Sequence, residues 1–126
     1  MKAAPHVPAG WPTLVLRIFA ADAEGLVRFV KDVFAAEGTY HAERPTEIRI
    51  GDSLLMVAEA GEREAMAGFL YVYVPDADAT FRRATDRGAR SLETPRDMPY
   101  GDRRAMVEDA WGNTWQIATH GGRFTP

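Results

Sequence analysis

The sequence has no cysteine, no long apolar run and no block of basic residues. Without cysteine the chain cannot form disulfides, use a thiolate nucleophile or bind zinc through sulfur. No apolar run approaches the about 18 residues that cross a bilayer, and residues 1–12 lack the continuous apolar stretch of a signal peptide. The formal net charge is -3 and the arginines are scattered, which argues against nucleic acid as a partner. We therefore expect a cytoplasmic protein with no nucleic-acid or membrane partner.

The sequence contains two similar segments, each centred on a predicted helix. The chain has 126 residues, 46% of them hydrophobic, enough for a single domain with one core. A first helix is predicted from Asp22 as its N-cap, and a second from Asp76 or Asp78. The segments Asp22-Ala23-Glu24 and Asp76-Ala77-Asp78 are similar and lie 76 − 22 = 54 residues apart. The sequence is thus built from two related halves.

Each predicted helix follows one strand-like segment and precedes three. The strands before the helices cover 13–19 and 68–75; those after them cover 38–42, 47–50 and 53–58 in the first half, and 90–94, 103–108 and 114–119 in the second. We predict an α+β fold made of two tandem β-α-β-β-β units, which form curved antiparallel sheets around a concave cavity. The single domain spans 1–126, with repeat one at about 12–60 and repeat two at about 67–120.

Strand alternation predicts which side chains line the cavity. Aliphatic faces, such as Leu14, Leu16 and Ile18 in the first strand, are expected to pack against the helices. The opposite, concave faces then carry polar and aromatic groups, listed here as Arg17, Phe69, Tyr71, Tyr73, Gln116 and His120. Apolar walls with a few polar groups are typical of a small-molecule pocket.

Two stretches resemble a known group of proteins. The segment "DAEGLVRFVKDVF" and the terminal "VEDAWGNTWQI", set in a duplicated β-α-β-β-β unit, are similar to the vicinal oxygen chelate superfamily. That superfamily includes glyoxalase I, extradiol dioxygenases, and fosfomycin- and bleomycin-resistance proteins. The resemblance covers about residues 12–120, and it implies a homodimer with cavities built from paired repeats.

Metal-using members of that superfamily carry ligands at four positions, usually histidine on the first strand and glutamate on the last strand of each repeat. Carried onto this chain, the four positions hold Val15, Met56, Phe69 and Gln116. Valine and phenylalanine offer no lone pair, a thioether suits soft ions, and one amide oxygen is too little for a catalytic divalent ion. We therefore expect no metal at the inherited position and no cofactor.

Several residues are candidates for binding or chemistry. The candidate ligand-binding residues are Arg17, Met56, Phe69, Tyr71, Tyr73, Met98, Tyr100, Arg104 and Gln116. His41 and Glu43, two apart, are candidate ligands of an unconventional metal site, or a solvated edge pair. His120 and Glu108 are candidate bases. Arg17 is either an anion clamp or the partner of Glu47 or Glu59. Asp102 and Arg104 either brace the loop over the pocket mouth, or Arg104 contacts the ligand.

The predicted function is metal-independent binding of a small aromatic or anionic organic molecule, as in bleomycin-resistance-like sequestration. One alternative is a glyoxalase- or dioxygenase-like enzyme, a lyase or isomerase that acts on a small metabolite through an unconventional metal site or acid/base residues. Another is a non-catalytic dimer whose cavity is filled by its own side chains. The sequence leaves these alternatives open.

Overall fold

Two helices and two separate sheets make up the part of the chain that the structure, a computed structural model, describes: residues 6–121. In chain order the elements are β1 (Leu16–Ala20), α1 (Ala23–Phe34), β2 (Thr46–Ile50), β3 (Ser53–Glu59), β4 (Phe69–Tyr73), α2 (Ala77–Asp86), β5 (Arg90–Asp97), β6 (Asp102–Glu108) and β7 (Thr114–His120). Sheet one has the order β1-β3-β2 and sheet two the order β4-β7-β6-β5. The pairs β1–β3 and β4–β7 are parallel and the others antiparallel. The predicted α+β class is confirmed.

One predicted strand, over 38–42, is wrong. Glu37 forms a single bridge with Arg49, through backbone hydrogen bonds of 2.9 and 2.8 Å, and the pairing stops there. Gly38 follows with a φ of +153°, and a Cβ at this position would lie 2.4 Å from the carbonyl oxygen of Glu47. The backbones therefore approach too closely for a regular ladder, and the chain turns back into β2. Sheet one consequently has three strands where sheet two has four.

Acidic side chains begin both helices, as predicted. Asp22 caps α1 by accepting from the backbone N–H of Gly25 at 3.1 Å, and Asp76 caps α2 by accepting from that of Ala79. The carboxylate of Glu59, at the end of β3, accepts from the first two N–H groups of the α1 turn at 2.9 Å each. Glu59 is thus committed to the helix terminus, where its negative charge is favourable.

The core lies between the helices and the inward faces of the strands. Ile18, Ile48, Val57, Trp115 and Ile117 are all at most 1% exposed. The predicted inward face of the first strand is only partly confirmed. Leu14 and Leu16 remain 85% and 47% exposed, since they precede or begin β1 and do not join the buried core. They line an open groove, described below.

Aromatic packing joins the two repeats. The ring of Trp115 on β7 lies 4.8 Å, centroid to centroid, from that of Phe34 on α1. Arg83 on α2 donates through its Nε and Nη2 atoms to the backbone carbonyl of Val33, in the last turn of α1. The two halves therefore share one core.

The turn between β6 and β7 is organised by a buried carboxylate. Asp109, 5% exposed, accepts from the backbone N–H groups of Trp111 and Asn113, from the Asn113 side-chain amide and from Trp115 Nε1 at 2.8 Å. The Asn113 carbonyl Oδ1 in turn accepts from the backbone N–H of Gly68, just before β4, at 2.7 Å. This network fixes the turn, the indole and the start of β4 together.

We expect Asp109→Ala to lower the free energy of unfolding by about 3–5 kcal/mol, because several buried donors lose their acceptor at once. Urea titration followed by tryptophan fluorescence measures this. Asp86→Ala, at an exposed position near the end of α2, is the control and should change the value by less than about 0.5 kcal/mol. Equal effects of the two substitutions would contradict the role given to Asp109.

Candidate functional site

The concave face of sheet two converges on one buried carboxylate, Asp102, whose side chain is 3% exposed. Its Oδ2 accepts from the hydroxyl of Tyr71 at 2.5 Å and from that of Tyr73 at 3.0 Å. Its Oδ1 lies 3.1 Å from Nδ1 of His120. Three strands, β4, β6 and β7, thus bring their side chains to one point.

Strand register explains this convergence. Tyr73 pairs with Ala118 on one side of β7, and Arg104 pairs with Ala118 on the other. The outer strands β4 and β6 are about 10 Å apart, because each is one strand spacing from β7. The small, fully buried Ala118 leaves the space over β7 through which the tyrosines reach Asp102.

A second carboxylate and an arginine extend the cluster. The Nη2 atom of Arg104 donates to Glu93 on β5 at 2.8 Å, and its Nη1 donates to the hydroxyl of Tyr100 at 3.3 Å. The hydroxyls of Tyr100 and Tyr71 are 3.3 Å apart. We call the set Tyr71, Tyr73, Glu93, Tyr100, Asp102, Arg104 and His120 the tyrosine cluster.

Hydrogen bonding keeps Asp102 charged and the tyrosines protonated. Burial alone would raise the pKa of Asp102, but hydrogen bonds from Tyr71, His120 and Tyr73 outweigh it and hold the pKa below its ordinary value. Burial and the bond to Asp102 raise the pKa of Tyr71 well above its ordinary value. The pKa of Tyr73 is raised mainly by its hydrogen bond to Asp102. The carboxylate is therefore an acceptor and the two hydroxyls are donors to it.

The tyrosines also present aromatic surface. The rings of Tyr71 and Tyr73 meet edge to face, with centroids 5.3 Å apart, and are 39% and 62% exposed. Together with Phe69 they border an open groove of about 560 Å³ between β1 and β4. Its other walls are mostly apolar, with Leu14 and Leu16 among them, and Asp52 and Ser53 add polar groups at the β2–β3 turn. The size and lining are those of sites for small organic molecules.

The structure brings together most of the predicted ligand-binding residues, but not all of them. Tyr71, Tyr73, Tyr100 and Arg104 lie in the tyrosine cluster. Gln116 on β7 lies beside it and pairs with Tyr71. Phe69 begins β4, the strand that carries Tyr71. Met98 is in the turn before β6, where its backbone N–H donates to the carbonyl of Asp102 at 2.7 Å. This turn places Tyr100 beside the carboxylate.

Arg17 and Met56 belong to sheet one, where they pair with each other across β1 and β3. The Arg17 guanidinium lies 5.3 Å above the ring of Phe19, and that of Arg63 lies 5.9 Å from the same ring. Neither of the predicted partners Glu47 and Glu59 forms an ion pair with Arg17. Arg17 thus forms no ion pair within residues 6–121, and it lies on a separate sheet from the tyrosine cluster.

The two candidate bases occupy different places. His120 ends β7 inside the cluster, with 62% of its side chain exposed and Nδ1 held by Asp102. Glu108 ends β6 at the far end from Asp102 and forms an ion pair with Arg90 at 2.7 Å. A single site therefore cannot use both.

The four inherited metal positions do not form a donor set. Val15 precedes β1, and Met56 is on β3. Phe69 is on β4 and Gln116 on β7, and the two do not pair with each other. Their chemistry does not fit a divalent ion. Over residues 6–121, no three histidine, aspartate or glutamate side chains lie close enough to hold a metal ion.

The unconventional metal pair lies elsewhere. His41 and Glu43 are in the segment between α1 and β2, at a cavity of about 190 Å³. The ring Nε2 of His41 is 3.1 Å from the guanidinium of Arg44. A cation thus sits beside the nitrogen that a metal would need.

Sequence reasoning missed two members of the cluster as site residues. The sequence pattern indicates for Asp102 only a brace of the loop together with Arg104, and it does not mark Glu93. The partners of Asp102 are 18 to 31 residues away along the chain, so no local motif marks them. The aspartate's position on the same strand face as Arg104, two residues on, was the one available signal.

Comparison with known proteins identifies the family. The family model for the Glyoxalase/Bleomycin resistance protein/Dioxygenase superfamily matches residues 12–117, and the chain belongs to this superfamily. Members are often small-molecule-binding dimers. No curated protein matches the sequence.

Solved structures share the fold. TioX from Micromonospora sp. ML1 is 24% identical, with a TM-score of 0.74 over 86% of this chain and 98% of that chain. The fosfomycin resistance protein FosX from Mesorhizobium loti is 21% identical, with a TM-score of 0.65 over 86% of this chain and 91% of that chain. A glyoxalase-related enzyme from Fulvimarina pelagi is 17% identical, with a TM-score of 0.71 over 86% and 87%. At these identities the likeness establishes the fold alone.

We expect Asp102→Asn to lower the free energy of unfolding by about 1–3 kcal/mol at neutral pH, because the acceptor loses its charge. The folded pKa of Asp102 is below the unfolded one, so this stabilisation is present above the unfolded pKa and is lost as the pH falls through the folded pKa. Urea titrations between neutral pH and about pH 2 should therefore show that the difference in unfolding free energy between wild type and variant shrinks as the pH falls. Asp86→Asn should run parallel to wild type throughout, and a constant gap for Asp102→Asn would refute the linkage.

Proposed function

We propose that this protein binds a small aromatic or anionic organic molecule at the tyrosine cluster, without a metal. The observation that carries the proposal is the pair Tyr71 and Tyr73, which are exposed yet fixed in place through their hydroxyls by Asp102. Holding the rings in advance lowers the entropy cost of stacking a ligand on them. The adjoining apolar groove could take the rest of the molecule.

Sequestration rather than conversion is the form we favour. The donor chemistry of Val15, Met56, Phe69 and Gln116 does not suit the oxygen-chelating ion of metal-using members. A protein that holds an aromatic compound tightly, without reacting with it, protects the cell in the manner of bleomycin-resistance proteins. No helix in the described part of the chain is long and apolar enough to cross a membrane. The cytoplasmic location stays a prediction.

We propose further that two copies associate. Within residues 6–121, no strand pairs with the outer edge of β4 or with the outer edge of β1 at its beginning, and Leu14 and Phe69 beside them are 85% and 69% exposed. Open strand edges with apolar side chains favour association. A partner subunit would close the open side of the groove.

Light scattering after size exclusion at micromolar concentration should give twice the chain mass of 14.0 kDa. Phe69→Glu should give the single mass, because it places a charge at the proposed contact. Leu92→Glu, at an exposed position on β5 away from this edge, is the matched control and should stay dimeric. A monomeric wild type would refute association.

We expect Tyr73→Ala to weaken the binding of aromatic ligands found in a thermal-shift screen of antibiotics and metabolites by about tenfold or more, since it removes half of the aromatic pair. Isothermal titration calorimetry measures the dissociation constant. Tyr40→Ala, outside the cluster, should leave it unchanged, and circular dichroism checks that both variants fold.

Elemental analysis of protein purified without added metal belongs to the same experiment. We expect no stoichiometric divalent ion per chain. One ion per chain, retained in wild type and lost in Gln116→Ala, would refute the metal-independent site. Failure of the whole library to raise the melting temperature would instead favour a cavity filled by the protein itself.

A further inference from the structure

We infer that the tyrosine cluster selects aromatic molecules that carry a hydrogen-bond donor or a positive charge, and discriminates against carboxylates and other anions. This inference rests on the proposed binding function and decides between its two ligand classes. It follows from the direction in which every fixed proton of the cluster points.

The direction starts at Asp102, which as a carboxylate can only accept. Tyr71 has one hydroxyl proton and donates it to Asp102 at 2.5 Å, so its oxygen must accept in the contact with Tyr100. Tyr100 therefore donates to Tyr71, while its own oxygen accepts from Arg104, because a guanidinium can only donate. The chain of bonds runs one way, from the arginine to the carboxylate.

Two further protons point inward. Tyr73 donates its only hydroxyl proton to Asp102 at 3.0 Å. His120 must carry a proton on Nδ1 to bond to Asp102 at 3.1 Å, so in the neutral ring Nε2 holds a lone pair. The groups left to face a ligand, Tyr73 Oη and His120 Nε2, are acceptors, and both side chains are 62% exposed.

Charge points the same way. The cluster holds two carboxylates, Asp102 and Glu93, against one guanidinium, Arg104, which is paired with Glu93 at 2.8 Å. The guanidinium is therefore already neutralised and is 13% exposed, which makes it a poor anion clamp. The net charge is negative whenever His120 is neutral, and the faces of Tyr71 and Tyr73 add cation–π attraction.

Two groups, Arg104 Nε and the Gln116 amide, do not follow this pattern of outward-facing acceptors. Arg104 Nε has no hydrogen-bond partner, but the atom is buried and does not reach the surface that a ligand would touch. The Gln116 amide, which makes no side-chain hydrogen bond within residues 6–121, can donate or accept. Neither adds a charge that would favour an anion.

Three indoles with the same two-carbon arm test the inference: tryptamine, tryptophol and indole-3-propionate. They end in an ammonium, a hydroxyl and a carboxylate at about pH 8, and titration by NMR at that pH compares them. We expect tryptamine to bind about tenfold or more tighter than indole-3-propionate, with tryptophol between them. Tighter binding of indole-3-propionate would overturn the inference and leave the binding function standing. No binding of any of the three would overturn the inference, and the library screen then decides the binding function separately.

Variants locate the preference. Tyr73→Phe keeps the ring and removes an outward acceptor, and Asp102→Asn removes the charge; each should reduce the preference to about threefold or less. Tyr40→Phe, outside the cluster, is the control and should keep it. Because Asp102→Asn also lowers stability, Tyr73→Phe is the deciding variant. A preference unchanged in both Tyr73→Phe and Asp102→Asn would place ligand selection outside the tyrosine cluster and overturn the inference.

Discussion

The buried carboxylate of Asp109 holds the end of β6, the start of β7 and the start of β4 together. It accepts from the backbone of its own turn and from Trp115 Nε1, and through Asn113 it reaches the backbone N–H of Gly68 at the start of β4. An unpaired carboxylate in this position would be very costly, so the turn can adopt few other conformations. Because β4 is fixed against β7 at this end, Tyr71 pairs with Gln116 and Tyr73 with Ala118. The register of the site is thus set several residues away from it.

Buried aspartates lie at both ends of β6: Asp102 begins the strand, and Asp109 directly follows it. Their surroundings differ. Asp109 is enclosed by backbone and indole donors and faces the core. Asp102 faces the concave side, and its donors are the hydroxyls of Tyr71 and Tyr73 and a ring nitrogen of His120. Neither carboxylate has an arginine or lysine bound to it. Hydroxyl, amide and indole donors satisfy carboxylate oxygens without cancelling their charge, so Asp102 brings a negative charge to the concave face.

Much of this architecture could be read from the sequence, since it rests on local patterns. Helix caps at Asp22 and Asp76, the 54-residue repeat and the period-two alternation of β4 and β7 all depend on neighbours along the chain. Where a close backbone approach intervenes, as at Gly38, the pattern failed. The link between Arg104 and Glu93 was also hidden, because register shifts in β5 break the alternation by which facing residues could be paired.

The direction of these hydrogen bonds also explains why this face would bind a ligand without a metal. Asp102 lies on the same face of sheet two as Gln116, but three of its acceptor positions are already taken by donors. A divalent ion would have to displace tyrosine protons whose pKa values the cluster itself raises. Recruiting Asp102 as a ligand would therefore dismantle the support of Tyr71 and Tyr73. The arrangement that fixes the aromatic pair is the same one that withholds the carboxylate from a metal, so stacking and chelation are alternatives on this sheet.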